Sequence, residues 1–249
     1  MNEVINVLNN HRSVRDFQQK PVTEDQIEAM MRAAMAAPNW VNGQQVTIIE
    51  IQNKETKHQL SVLAGNQKWV KEAPVFFVFC LDFYRAKLAA EKNNRSLEIV
   101  HSIEFALVGS TDVGIALSNT IATAESMNLG IVPVGGIRKD PQKVIELLDL
   151  PEYVFPVAGL AVGHPEKRPD QKPRLPIRAV HHKEKYNKEQ LQRDMDEYDT
   201  AHSSYLNERT DGKESANWSE KTAAFYDTGF EAYEKNVPPA LKKQGFTYW

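Results

Sequence analysis

Near the front of the chain, His11-Arg12-Ser13-Val14-Arg15 gathers two guanidinium groups, a hydroxyl and an imidazole. A guanidinium donates in a planar fork, and charge-assisted hydrogen bonds to phosphate are about twice as strong as neutral ones. The stretch therefore suits a phosphate or the polar edge of a ring. A solvated basic turn ahead of a helix is the plain alternative. Three further stretches bear on that choice. Lys172 and Arg174 sit in a segment with prolines at 165, 169, 173 and 176. On an extended chain, residues spaced i, i+2 project to the same side, and this pair could join the front cluster on one dianion. Asn39, Asn42, Gln44 and Gln67 supply amides able to read a flat heterocycle, although loop amides also bond their own backbone. Gly135-Gly136 lets backbone N–H groups approach a ring closely.

Other chemistries lack their residues. There is no Gly-x-Ser-x-Gly, no Walker phosphate loop and no Gly-x-Gly-x-x-Gly. The adjacent His181-His182 is poor geometry for one metal and reads as a solvated pair, so no metal site is expected. Cys80 is the only cysteine, which excludes an intramolecular disulfide. It lies inside the apolar run 75–81 and reads as a buried, inert thiol. A formal net charge of −3 argues against nucleic acid or anionic lipid as partner. The front of the chain does not look like a signal peptide, and no run of about 18 apolar residues is present. A cytoplasmic setting is expected.

The elements that must position these groups follow in order. Apolar spacing predicts a short helix over 2–10. Thr23-Glu24-Asp25-Gln26 is a capping box opening a helix to about Ala37, with Ile27, Met30, Met31, Ala34 and Met35 on its inner side. The loop 38–45 is followed by a strand at 46–51, a helix at 54–64 and a break at Gly65-Asn66-Gln67. The continuous run at 75–81 predicts a strand buried on both faces. A helix is expected at 86–95. From about Leu97 to Asn128 runs the longest periodic segment, read as a central buried helix; between Ile103 and Met127 its only charges are Glu104, Asp112 and Glu125. Strands at 131–134 and 155–162 flank a helix at 141–148. A helix at 188–206, an exposed mobile loop at about 207–217, a helix from Trp218 to about Tyr233 and a last short helix opened by Val237-Pro238-Pro239 complete the chain. Strands alternate with helices, so the class is α/β or α+β.

At this point the sequence resembles a known family. His11-Arg12-Ser13-Val14-Arg15, the loop ending in Gln44, Gly65-Asn66-Gln67, Val134-Gly135-Gly136-Ile137-Arg138 and Lys172-Pro173-Arg174-Leu175-Pro176 occur in the order and spacing of the FMN-dependent nitroreductase superfamily. They are most similar to its NADPH-preferring flavin reductases and oxygen-insensitive nitroreductases. The resemblance implies one α+β domain over 1–249, with a central mixed sheet and a helical extension over 190–249. It implies a homodimer with FMN at the subunit interface and ping-pong hydride transfer from NADPH, via the flavin N5, to free flavin or nitroaromatic compounds. A quinone, chromate or azo reductase with the same half-reaction is the runner-up, and a non-enzymatic flavin-binding protein is a third reading.

By position, the resemblance puts His11, Arg12, Ser13 and Arg15 along the phosphate, ribityl and pyrimidine side of FMN, and Lys172 and Arg174 on the phosphate. It puts Gln67 at the polar edge of the ring, the amide of Gly135 or Gly136 at the flavin N5, and Val134 among the cofactor-binding residues. Asn39, Trp40, Val41, Asn42 and Gln44 come from the other subunit. Arg209, with Lys213 nearby, matches the residue that holds the NADPH 2′-phosphate. Many relatives carry a serine-rich loop where this chain has Asn39-Trp40-Val41.

Overall fold

Eight consecutive buried residues, Val75–Asp82, form the strand on which the sheet is built. The computed structural model describes residues 2–247. The helices are α1 (Glu3–Asn9), α2 (Glu24–Met35), α3 (Lys54–Leu63), α4 (Lys68–Glu72), α5 (Tyr84–Lys92), α6 (Glu104–Ser126), α7 (Pro141–Leu147), α8 (Leu191–Arg209), α9 (Trp218–Ala224) and α10 (Glu231–Lys243). The strands are β1 (Val46–Ile51), β2 (Val75–Asp82), β3 (Gly130–Val134) and β4 (Val154–Gly163). Two compact units result: Met1–Pro169 with Ala232–Trp249, and Asp170–Glu231.

The first unit holds the sheet, in the order β1-β2-β4-β3. Side chains alternate across a strand, and β2 feeds two cores. Val75, Phe77, Phe79 and Leu81 face the cluster that includes Met30, Phe105 and Phe246. Phe76, Val78 and Cys80 face the cluster that includes Leu60, Val70 and Ile137. Covering both faces is why the strand reads as a continuous apolar run. The expected mixed sheet is corrected here. All three ladders are antiparallel, and the one parallel pairing among the described residues is the single bridge Ser13–Ile131.

Local signals explain most boundaries. Thr23 accepts from the Gln26 N–H, and the Gln26 side chain accepts in return from the Thr23 N–H. Asp140 caps α7, with Pro141 at its first turn. Met30 is fully buried, but Met35 is 79% exposed and does not belong to the inner face. The central helix starts at Glu104, later than expected, because residues 98–101 form a separate 3-10 turn. It is buried on one side only. Phe105, Val108, Val113 and Ala116 pack inward, while Leu107 is 59% exposed. By length and composition α6 could cross a membrane; its inner side packs on α2 and β2. Cys80 is fully buried, and burial pushes its thiol pKa up. A disulfide reagent such as Ellman's should therefore label no thiol in the native protein and one per chain in guanidinium; rapid native labelling would contradict the burial.

In the second unit α8 runs on to Arg209, so residues 207–209 are its last turn rather than part of a loop. The final helix begins at Glu231, not at Val237, and Pro238 and Pro239 lie inside it.

Candidate functional site

Backbone bonds fix the front cluster to the sheet. The Val14 N–H donates to the Ile131 carbonyl at 2.8 Å. Val14 is fully buried, so the flanking Ser13 and Arg15 are turned the other way. His11 Nδ1 lies 2.8 Å from Glu125 Oε1, and the Arg12 N–H points at the same oxygen from 3.4 Å. A carboxylate only accepts, so Nδ1 carries the hydrogen and Nε2 is left for another partner. The Arg12 guanidinium donates to the carbonyl and side-chain oxygens of Asn10 at 3.1 and 2.8 Å. The Arg15 guanidinium lies over the Trp69 ring, 5.3 Å from its centroid.

Beyond Ile131, β3 leads into Val134-Gly135-Gly136. Gly135 is exposed, whereas Gly136 is buried against the end of α3. A Cβ at Gly136 would stand 2.4 Å from the Ala64 oxygen and 2.7 Å from Gln67 Nε2. After Ala64 the chain reverses through two left-handed residues, Gly65 at φ 89° and Asn66 at φ 60°. Ser61 then clamps Gln67: its hydroxyl donates to the Gln67 carbonyl at 2.9 Å, and its carbonyl accepts the Gln67 N–H at 3.2 Å. The Gln67 amide donates to the Ala64 carbonyl at 3.1 Å. Trp69, two residues on, carries Arg15. The front cluster, Gln67 and the glycine pair thus belong to one neighbourhood. Arg138, which follows them, is a structural brace. It donates to the Val157 carbonyl, lies over the Tyr233 ring and has its pKa lowered by burial.

The amide loop is anchored elsewhere. The Trp40 N–H donates to both carboxylate oxygens of Asp112, each at 3.2 Å. Burial pushes the Asp112 pKa up, and the Trp40 N–H opposes that shift. Asn39 Oδ1 accepts the Gln44 N–H at 3.1 Å, and Gln44 Nε2 donates to Asn42 Oδ1 at 2.5 Å. Glu125 and Asp112, the anchors of cluster and loop, lie thirteen residues apart on α6. At 1.5 Å per residue that separates them by about 20 Å along the helix.

Lys172 and Arg174 belong to the second unit. Arg174 donates to the Lys172 and Pro173 carbonyls at 2.9 and 3.2 Å, and the buried Tyr198 hydroxyl donates to Pro173 at 3.1 Å. The buried His202 has its pKa lowered by burial and then by the Lys172 charge. Arg209 is exposed on the last turn of α8, with Nη1 3.5 Å from the Tyr205 hydroxyl. Lys213 is exposed in the turn beyond it. No group of three or more His, Cys, Asp or Glu able to hold a metal occurs among the described residues.

Known proteins resemble this chain along nearly its whole length. Residues 8–164 match the nitroreductase family and residues 172–248 its C-terminal domain. The chain belongs to the nitroreductase family. An FMN reductase [NAD(P)H] of Bacillus subtilis is 48% identical over 99% of this chain and 98% of its own. A CR(VI) reductase of Pseudomonas sp. is 34% identical over 97% and 98%. The solved structure of B. megaterium NfrA2 superposes with a TM-score of 0.96 at 47% identity, covering 100% of both chains.

In this member of the nitroreductase family, the two anchors are not legible as such from the sequence. A signal for both was present, since Asp112 and Glu125 are two of the only three charges in an otherwise apolar helical stretch. Their partners, 72 and 113 residues away, gave no local sign of what they hold.

Proposed function

We propose that the protein is an FMN-dependent NAD(P)H oxidoreductase acting on free flavin or nitroaromatic compounds. The observation that carries this reading is the joining of the cationic front cluster to Gln67 and the glycine pair in one neighbourhood. The residues fit a flavin mononucleotide. His11, Arg12, Ser13 and Arg15 form a donor set for its phosphate, ribityl and pyrimidine groups, and Lys172 and Arg174 would add charge at the phosphate. Gln67 would meet the polar edge of the ring. The amide of Gly135 or Gly136 would point at N5, with Val134 beside them in the cofactor site. Gly135 leaves room for a flat ring: even an added Cβ there would find its nearest neighbour, Arg138 Nη2, at 3.9 Å. When bound, FMN supplies the two-electron hydride chemistry between NAD(P)H and the second substrate, in ping-pong order. The chain's own work is to hold and orient it, with positive charge near the pyrimidine edge.

A homodimer completes the reading, with Asn39, Trp40, Val41, Asn42 and Gln44 serving the site of the other subunit. The separation of about 20 Å between the two anchors on α6 supports it. So do the exposed apolar side chains Met35, Val41 and Leu107. A cytoplasmic setting, where NAD(P)H is available, fits the reaction.

The test is spectroscopic. Purified protein should carry or take up FMN, and NADPH should bleach the flavin band under argon; a protein that binds no added FMN ends this reading. The relative named for chromate favours the second reading, a quinone, chromate or azo reductase with the same half-reaction. Comparing rates with FMN, nitrofurazone, benzoquinone and chromate separates the two. Arg209 and Lys213 are assigned to the 2′-phosphate of NADPH. Arg209→Ala should raise KM for NADPH about tenfold, the loss of one charge-assisted bond, and leave KM for NADH nearly unchanged. Equal changes for the two nicotinamides remove that assignment.

A further inference from the structure

The loop 39–44 holds an unfavourable backbone. Val41 at φ 46°, Asn42 at φ 55° and Gln44 at φ 55° are all left-handed. For β-branched Val41 this is an outlier that the surroundings must enforce. Within one chain, packing does little of the enforcing. The loop borders a cavity of about 560 Å³, lined by Asn39 and Gln44 with Met31 and Met35. It also borders one of about 380 Å³, lined by Asn39 and Trp40 with Leu107 and Ile115. Val41 itself is 77% exposed.

What grips the loop at both ends is charged. Asp112, buried on α6, takes the Trp40 N–H on both oxygens. At the other end Arg85, on α5, donates to the Gln44 and Val46 carbonyls at 2.6 and 2.8 Å and to the Thr47 hydroxyl at 2.9 Å. Arg85 is itself held by the buried Asp82 at 2.9 Å.

We propose that Asp112 and Arg85 are positioning residues for FMN binding: they hold the strained loop in the shape that presents Asn39, Trp40, Asn42 and Gln44 to the flavin of the other subunit's site. This rests on the FMN reading above. Neither residue need touch the cofactor. Their contribution is to fix the loop before binding, which removes an ordering cost from the binding step.

The experiment measures FMN dissociation constants by quenching of flavin fluorescence, together with hydrogen exchange at the Trp40 amide. Asp112→Ala should weaken FMN binding about tenfold and expose the Trp40 amide to fast exchange. Asp112→Asn keeps an acceptor at the same place and should stay within about threefold of the wild type. Adding Val41→Gly to Asp112→Ala removes the left-handed penalty and should recover part of the loss, which a general failure to fold would not allow. Arg85→Lys should behave like Arg85→Ala, since an ammonium cannot fork across the same acceptors. Unchanged FMN affinity in Asp112→Ala overturns the proposal, as does a double variant no better than Asp112→Ala alone. If the wild type binds no FMN, the functional reading fails instead; a Trp40 amide that then exchanges equally fast with and without Asp112 removes the anchor as well.

Discussion

Gly136→Ala is expected to lower the unfolding free energy by about 3 kcal/mol, the upper range for forcing one methyl into a filled site, and to abolish FMN retention. The added Cβ would meet the main-chain oxygen of Ala64 at 2.4 Å, and backbone cannot swing aside as a flexible side chain does. Relief requires moving the end of α3, and with it the turn that aims Gln67. Gly135→Ala provides the contrast. Its methyl has no neighbour closer than 3.9 Å, so Tm should hold while FMN affinity falls. Thermal melts with and without FMN, run on both variants, check the pair. A Gly136→Ala protein that melts with the wild type and stays yellow removes the close packing described here.

The second large effect is at Arg15. Arg15→Ala should raise the FMN dissociation constant between about 10-fold and 100-fold, the range for losing one or two hydrogen bonds from a charged donor. It should also slow reduction of the bound flavin by NADPH, because the role proposed for Arg15 is to supply positive charge beside the pyrimidine edge. Stability should move little, since Arg15 is only half-buried and its contact with Trp69 is worth about 1 kcal/mol at such a site. Arg15→Lys keeps the charge without the planar fork and should fall between the two. Flavin content and reduction rate both equal to the wild type would take the pyrimidine role away from Arg15.

The central strand was legible because burial on both faces leaves a local mark, an unbroken apolar run; the antiparallel pairing of the sheet was not, since it joins segments far apart in the chain. The start of α2 was legible because a capping box is a contact between residues three apart. Three helical boundaries were not. Residues 98–101 share the apolar pattern of α6 but close as a 3-10 turn. Asn207, Glu208 and Arg209 look like a polar loop but continue α8. Pro238-Pro239 signals a helix start, yet tertiary packing carries α10 through both. The donors of the candidate site stood out by residue type. What holds them did not, since Glu125, Asp112 and Arg85 act on segments that only folding brings near.

The sealed position of Cys80 has a chemical consequence. Reduction of nitroaromatics passes through nitroso compounds that add to thiols, and quinones are themselves thiol-reactive electrophiles. This chain carries a single sulfhydryl, enclosed by the phenylalanine-rich strand that organises its core. On the function proposed above, such compounds would meet no accessible thiol on the chain that handles them.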